Sequence, residues 1–165
     1  SFGEGLKNIC LAIREIAKRH DEVQIIYPVH LNPNVQEPVY RLLSGLDNVF
    51  LVAPLEYPRM VWLLNKSFLV LTDSGGIQEE APALGKPVLV MRDITERPEG
   101  IQTGAAILVG TDKQRIVYEV ERMLEDEDRY REMQRTISPY GDGNALKRIV
   151  SILVNEWEKQ EEQYL

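Results

Sequence analysis

Two hydrophobic patterns alternate along the chain and predict alternating helices and strands. In residues 6–19, apolar side chains recur every three or four positions and basic residues collect at the end, which indicates an amphipathic helix. Two apolar runs, 68–72 and 88–91, lack polar alternation, as is typical of strands covered on both faces. Further runs of strand length occur at 23–29, 49–52 and 105–109.

Helices are predicted between and after these runs, at 33–43, 58–65, 77–84, 111–124, 129–135 and 145–162. Asn32 caps the first of these helices, which we expect to be strained or restarted at Pro38. Thr111 opens another helix, with Gln114 three residues later as in a capping box. Strands that alternate with helices predict one α/β domain over residues 1–165, with a mainly parallel sheet and helices on both faces.

Composition and charge narrow the class of protein. The chain has 165 residues, 44% hydrophobic and 27% charged, a balance typical of one globular domain. Its net charge of -7 argues against nucleic acid or an anionic membrane surface as the main partner, because both favour clustered lysine and arginine. The single cysteine, Cys10, cannot form an internal disulfide, so we expect a reducing, cytoplasmic setting. We recognise no signal-peptide, membrane-spanning or metal-site pattern.

The segment LTDSGGIQEE carries an apolar run straight into two glycines and a polar helix. Ligands of open α/β sheets bind at the carboxyl ends of strands, where glycines let backbone N–H groups approach closely. Together with the positive end of the following helix, Ser74, Gly75 and Gly76 are a candidate phosphate site. Glu80 shares a helix face with Gly76 and can accept hydrogen bonds from ribose hydroxyls. The alternative is a tight turn in which Asp73 or Ser74 merely caps the helix.

A second segment, MRDITERPEG, follows the next strand and therefore reaches the same edge of the sheet. Its Arg92 and Arg97 can extend to a diphosphate, for which the planar guanidinium is suited. The alternative is a solvated loop in which Arg97 pairs with Glu96 or Glu99. Because a pyrophosphate site without any cation is unusual, the two segments together favour a nucleotide site.

Two further observations concern the ligand. The dinucleotide fingerprint and the Walker P-loop are both missing from the sequence, so the nucleotide need not be NAD and no cofactor is predicted. His30 follows the 23–29 run at a carboxyl strand end. It is either a ligand contact or a histidine bonded to a nearby loop.

Four segments, YPVHLNPNV, LTDSGGIQEEAPALGKPVLVMRDITERPEG, LVGTDKQRI and PYGDG, together resemble the non-hydrolysing UDP-N-acetylglucosamine 2-epimerases of bacteria and archaea. The resemblance covers essentially the whole chain, but only the second of the family's two domains. It implies a Rossmann-like three-layer sandwich that is the second half of a GT-B-like two-domain fold. The implied reaction interconverts UDP-GlcNAc and UDP-ManNAc by elimination and re-addition of UDP, in cell-surface polysaccharide biosynthesis.

The residues carried over by the resemblance share one implied role, the binding of UDP. His30 stands apart, because it resembles a histidine that contacts a second, regulatory UDP-GlcNAc in some members. The implied UDP contacts are Ser74, Gly75 and Gly76 with the diphosphate, Arg97 with the phosphates, Glu80 with the ribose, and Leu55 and Met60 in the uracil and ribose region.

Catalytic groups are not expected within this chain. The family's catalytic aspartate and two glutamates belong to the first domain, and its His-Arg-Arg-Glu run is expected directly before Ser1. The resemblance therefore implies an isolated chain without epimerase activity. It also implies the N-terminal domain of the same enzyme as partner, and a homodimer at full length.

Three other interpretations stay open on the sequence. A GT-B glycosyltransferase domain would share the fold, the Gly-Gly turn and a downstream glutamate, although the Thr-Glu-Arg-Pro run favours the epimerases. A hydrolysing 2-epimerase, which releases ManNAc and UDP, is a near relative. The third is a free-standing binding module that senses UDP-sugars.

Overall fold

Helices and strands alternate along the chain, as the hydrophobic patterns predict. The computed structural model describes residues 3–135 and 139–163. In chain order the elements are α1 (Glu4–Arg19), β1 (Ile25–Pro28), α2 (Pro33–Leu43), β2 (Val49–Val52), α3 (Tyr57–Lys66), β3 (Val70–Thr72), α4 (Gly75–Ala83), β4 (Val88–Val90), α5 (Pro98–Gln102), β5 (Ala106–Leu108), α6 (Lys113–Glu125), α7 (Glu127–Arg135) and α8 (Ala145–Gln163).

All strand pairs are parallel, which confirms the predicted sheet type. β1 pairs with β2, and Ile25 lies opposite Val49. β3, β4 and β5 form a second sheet in that order, in which Thr72 lies opposite Val90. Within the described residues, no strand pairing joins the two sheets. The carboxyl ends of β3 and β4 therefore lie side by side and position the loops that follow them.

The core lies on both faces of β4. Leu89 packs into the larger hydrophobic cluster with residues of α1, α2 and α6. Val88 and Val90 pack into a second cluster with residues of α3, α4 and α5. This two-sided burial explains why the run at 88–91 shows no polar alternation, since every side chain of β4 is buried.

Two expectations about helices are wrong: the restart of α2 at Pro38 and the cap of α6 at Thr111. α2 continues through Pro38 without a break, because Val39 and Leu43 anchor its buried face and a proline removes only one backbone hydrogen bond. α6 is capped by Asp112 rather than Thr111. The Asp112 carboxylate accepts a hydrogen bond from the backbone N–H of Arg115 at 2.8 Å.

The structure also adds details that the patterns did not predict. α4 begins at Gly75, two residues before the predicted helix, so both glycines of the Ser-Gly-Gly turn are helical. The short helix α5 follows Arg97 and was not predicted. Among the described helices, none is long and apolar enough to cross a membrane.

Candidate functional site

The Ser-Gly-Gly turn joins the carboxyl end of β3 to the N-terminus of α4. Thr72 is buried, and its Oγ1 accepts a hydrogen bond from the Ser74 backbone N–H at 3.0 Å, which holds the turn. Ser74 occupies the N-cap position, but its side chain makes no capping hydrogen bond. The interpretation of Ser74 as a mere cap therefore lacks the bond that defines a cap. Its exposed hydroxyl lies beside the unpaired N–H groups of the first helical turn.

Glu80 lies over the same turn, as its spacing predicts. A Cβ atom added to Gly76 would lie 3.8 Å from Oε1 of Glu80, so the carboxylate reaches back to the start of α4. The side chain is half-buried. A hydrogen-bond acceptor therefore stands next to the exposed backbone of the turn.

The loop after β4 closes onto the turn. Arg92 donates from Nη1 to Oε2 of Glu96 at 2.6 Å. The other carboxylate oxygen of Glu96 would lie only 2.9 Å from a Cβ atom on Gly75, so a side chain there would force the Glu96 carboxylate to move. Its own backbone amide, together with Arg92, holds the pKa of Glu96 below its ordinary value. This carboxylate is consequently charged and lies directly on the turn.

Arg97 pairs with Glu79 of α4, a partner that the sequence did not predict. The bond runs from Nε of Arg97 to Oε1 of Glu79, whereas Glu96 and Glu99 were the expected alternatives. This pairing raises the pKa of Arg97, and the guanidinium keeps 39% of its side-chain surface exposed. An accessible cation is therefore tied to the helix that begins at the turn.

A buried glutamine, missed by the sequence reasoning, supports this cation. Gln78 is 1% exposed, and its Oε1 accepts a hydrogen bond from Oγ1 of Thr95 at 2.6 Å. Thr95 Oγ1 accepts in turn from the backbone N–H of Arg97 at 3.1 Å. Nε2 of Gln78 has no hydrogen-bond partner in the described part of the chain. The sequence does offer one indication: Gln78 lies four residues after Ser74, which is one helical turn, so both residues lie on the same side of α4.

Tyr140 holds the segment from Arg97 to Gly100 through two hydrogen bonds. Its hydroxyl accepts from the backbone N–H of Gly100 at 3.0 Å and donates to the carbonyl of Arg97 at 3.4 Å. A Cβ atom on Gly100 would lie 2.7 Å from that hydroxyl oxygen, so a side chain there would displace the tyrosine. The PYGDG segment, otherwise a turn-rich break, therefore closes one side of the site.

Three of the predicted site residues lie outside this cluster. Leu55 is half-buried between β2 and α3, and Met60 on α3 packs against the second hydrophobic cluster. His30 is exposed after β1, where its Nδ1 accepts from the backbone N–H of Asn32 at 3.1 Å. That bond agrees with the interpretation of His30 as bonded to a nearby loop.

Some of the clustered groups suit an anion and make this turn a candidate anion site, although the Glu96 carboxylate lies on the turn in this structure. A helix N-terminus offers unpaired N–H groups and a positive dipole end, and Arg97 of the neighbouring loop pairs with Glu79 of the same helix. The described residues contain no group of three histidine, cysteine, aspartate or glutamate side chains placed to hold a metal ion. Ser74, Gly75, Gly76 and Glu80 thus lie together at the start of α4, and Arg97 pairs with Glu79 of the same helix.

Comparison with known proteins places this site in a family. The family model for UDP-N-acetylglucosamine 2-epimerase matches residues 1–154. The UDP-N-acetylglucosamine 2-epimerase of Escherichia coli K12 is 61% identical over 155 residues, which are 94% of this chain and 41% of that protein. The Yersinia pestis protein of the same name is 58% identical over 155 residues, again 94% of this chain and 41% of that protein. The chain therefore spans about two fifths of the length of these relatives.

Solved structures show the same likeness. A UDP-GlcNAc 2-epimerase from Neisseria meningitidis, bound to UDP-GlcNAc, superposes with a TM-score of 0.89 at 49% identity, over 93% of this chain and 42% of that one. The Methanocaldococcus jannaschii enzyme, in complex with UDP-GlcNAc and UDP, gives a TM-score of 0.76 at 36% identity, over 92% and 41% of the two chains. Sequence and fold agree: the chain belongs to the UDP-N-acetylglucosamine 2-epimerase family.

Proposed function

We propose that this chain is the UDP-binding part of a UDP-GlcNAc 2-epimerase. One observation carries the proposal: the exposed Ser74 makes no capping bond at the N-terminus of α4, and the partly exposed Arg97 pairs with Glu79 of the same helix. Such an arrangement suits a diphosphate, because the helix N-terminus and a cation both stabilise its negative charge. Relatives with UDP or UDP-GlcNAc bound support the choice of nucleotide.

Each clustered residue has a role in this proposal. Ser74, Gly75 and Gly76 hold the diphosphate through backbone N–H groups and the serine hydroxyl. Arg97 contacts the phosphates, and Glu80 accepts hydrogen bonds from the ribose. The remaining predicted contacts, which stay proposals, are Leu55 and Met60 for the uracil and ribose region and His30 for a second, regulatory UDP-GlcNAc.

In the reaction, these groups would act on the leaving diphosphate. Elimination of UDP places charge on the diphosphate as the bond to the sugar breaks. Donors already aimed at that charge stabilise the transition state, and loss of one such donor typically lowers the rate by about 10²–10³. The acid and base groups that act at C2 lie outside this chain in our proposal. General acid–base groups typically contribute a further factor of about 10²–10⁴, so we expect no measurable epimerisation by the isolated chain.

The other partners follow from the same proposal. The active enzyme would need its N-terminal domain to complete the cleft around UDP-GlcNAc or UDP-ManNAc, and it would form a homodimer at full length. The cytoplasmic location also stays a prediction, supported by a single buried cysteine and by no disulfide within the described residues.

The test is a calorimetric titration of the purified chain with UDP, with NAD as control ligand. Saturable UDP binding is expected, and Glu80→Ala and Arg97→Ala should each weaken it by about tenfold or more, because each removes a hydrogen bond to or from a charged group. Arg131→Ala is the matched control, since Arg131 is exposed and, among the described residues, forms its ion pair with Glu127 along α7. Absence of UDP binding at millimolar concentration, or equal losses in all three variants, would contradict the proposal. Formation of UDP-ManNAc by this chain would contradict the placement of the catalytic groups.

A further inference from the structure

The residues on either side of Glu96 are held by α4. Thr95 donates from Oγ1 to Oε1 of Gln78 at 2.6 Å. Arg97 pairs through its Nε with Glu79. Thr95 Oγ1 also accepts from the backbone N–H of Arg97 at 3.1 Å, which ties the two neighbours of Glu96 to each other. The backbone at Glu96 is therefore fixed relative to the helix.

The side chain of Glu96 extends from this fixed backbone to the Ser-Gly-Gly turn. Its Oε2 accepts from Nη1 of Arg92 at 2.6 Å, whereas its Oε1 would lie 2.9 Å from a Cβ atom placed on Gly75. The carboxylate is charged, because its own backbone amide and Arg92 hold its pKa below the ordinary value. The side chain is 52% exposed, so it can move without disturbing the core.

The charge of Glu96 lies at the N-terminus of α4, since Gly75 is the first residue of that helix. The first hydrogen bond of the helix runs from the N–H of Gln78 to the carbonyl of Ser74 at 3.3 Å. The N–H groups of residues 75–77 precede this bond and have no partner within the helix. A negative charge here is stabilised by the positive end of the helix dipole. Glu96 thus supplies an anion to the end of α4 that suits a phosphate.

We propose that Glu96 lies where a phosphate of the ligand binds, and that a diphosphate must displace this carboxylate in order to occupy the turn. The inference rests on the proposed function, since it concerns the same turn. Both anions are stabilised by the same helix end, and two negative charges in contact there repel each other. Glu96 is therefore a competitor within the chain that sets how tightly the candidate anion site holds its ligand.

Displacement of Glu96 also changes the partner of Arg92. When the carboxylate leaves the turn, a phosphate takes its place beside the guanidinium of Arg92. A phosphate oxygen accepts the same kind of charge-assisted hydrogen bond as a carboxylate oxygen. The exchange is local, because Thr95 and Arg97 keep the backbone attached to α4 while the Glu96 side chain turns outward.

The competitor makes Glu96 a specificity-determining residue. If the carboxylate blocks the turn for about four fifths of the time, the apparent dissociation constant of an anionic ligand rises about fivefold. A weakly bound anion such as inorganic phosphate then stays below saturation, whereas a diphosphate with more contacts still binds. A neutral nucleoside brings no phosphate to the turn and does not have to displace Glu96.

The position of Glu96 is tested first without any ligand. Glu96→Gln removes the charge and keeps the size of the side chain. Glu99→Gln is the matched control, because Glu99 is exposed on α5, three residues later, and loses the same charge. Glu96→Gln alone should shift the backbone amide resonances of Gly75 and Gly76 in NMR spectra. Unchanged resonances, or equal shifts in the two variants, would overturn the inference.

Calorimetry with UDP and with uridine then tests the competition. Glu96→Gln should bind UDP at least about fivefold more tightly than the wild type, and Glu99→Gln should stay within about twofold of it. The affinity for uridine should not change in either variant. An equal gain for UDP and uridine, or an equal gain in both variants, would overturn the inference.

The Arg92→Ala background separates two sources of a gain in affinity. Glu96→Gln should still tighten UDP binding in this background, because the carboxylate itself is the competitor. A gain that disappears there would come only from the released arginine and would overturn the inference. UDP binding by the wild type without any gain in Glu96→Gln would overturn this inference alone. Absence of UDP binding in the wild type and in every variant would overturn the proposed function as well.

Discussion

The guanidinium of Arg97 is expected to depend on its residue type and not only on its charge. Arg97 can bind two phosphate oxygens through its planar fork while Glu79 holds its Nε, which lysine cannot do. Arg97→Lys is therefore expected to weaken UDP binding about tenfold although the charge is kept. Stability should change by less than about 1 kcal/mol, because the ion pair is exposed. Calorimetry with Arg131→Lys as control checks this, and unchanged affinity would exclude bidentate contact.

The two glycines of the turn should respond differently to alanine. A Cβ atom at Gly76 meets nothing closer than 3.8 Å, so Gly76→Ala should stabilise the helix by about 0.5–1 kcal/mol. At Gly75 the added atom would lie 2.9 Å from Glu96, so the Glu96 side chain must move and its bond with Arg92 is disturbed. Urea unfolding of both variants measures the difference. An equal gain in both would mean that Glu96 does not rest on Gly75.

The thiol of Cys10 predicts a pH effect on stability. Burial raises its pKa from the ordinary 9.0 to about 11. Between these values the unfolded chain has lost a proton that the folded chain keeps, so the free energy of unfolding falls as pH rises. Chemical unfolding from pH 8 upward should show a steeper decline for the wild type than for Cys10→Ala. Because other groups titrate in both proteins, the difference between the slopes is the readout, and parallel curves would contradict it.

At the scale of elements, the site is held by contacts between segments distant in sequence. Tyr140 binds the first turn of α5 through the N–H of Gly100, and it also reaches the carbonyl of Arg97. Tyr140→Phe should lower the free energy of unfolding by about 1–3 kcal/mol, since a part-buried donor loses its partner. Tyr118→Phe is the control because Tyr118 is exposed on α6. Equal free energies of unfolding for the two variants would mean that the Tyr140 hydroxyl does not contribute to stability.

α4 and the loop after β4 behave as one unit in this structure. Gln78 reaches Thr95, and Glu79 reaches Arg97, so two consecutive residues of the helix hold the same loop. The helix that carries the proposed anion site is thus fixed to the loop that contains Arg97. A movement of the loop would alter the position of Arg97 relative to Ser74.

At the scale of the whole molecule, α8 presents an apolar stripe to solvent. The stripe repeats at three- and four-residue spacing and consists of Leu146, Ile149, Val150, Leu153 and Trp157, all exposed. Exposed apolar surface of this kind favours association.

The chain is therefore expected to self-associate as its concentration rises, and sedimentation measures this. Leu153→Glu places a charge in the stripe and should weaken association, whereas Lys147→Glu, on an exposed polar position of the same helix, should not. A strict monomer at high concentration, or equal effects of the two substitutions, would count against the stripe as the contact.

Local pattern alone determined most of the elements and the core of the anion site. Helical and strand periodicities depend on neighbours a few residues apart, so the parallel α/β order, the Ser-Gly-Gly turn and the spacing of Glu80 from Gly76 were predictable. The same reasoning misplaced the cap of α6, because Thr111 and Asp112 offer equivalent side-chain oxygens and only the backbone path selects between them.

Tertiary structure decided the partners that join distant segments. Glu96 and Glu99 are close to Arg97 in sequence, whereas Glu79 is 18 residues away. The packing of the loop on α4 nevertheless makes Glu79 the partner of Arg97. The pairing of Tyr140 with Gly100, 40 residues apart, and the division of the strands into two sheets have the same origin. These outcomes depend on which elements become neighbours when the core closes, and no short stretch of sequence contains that information.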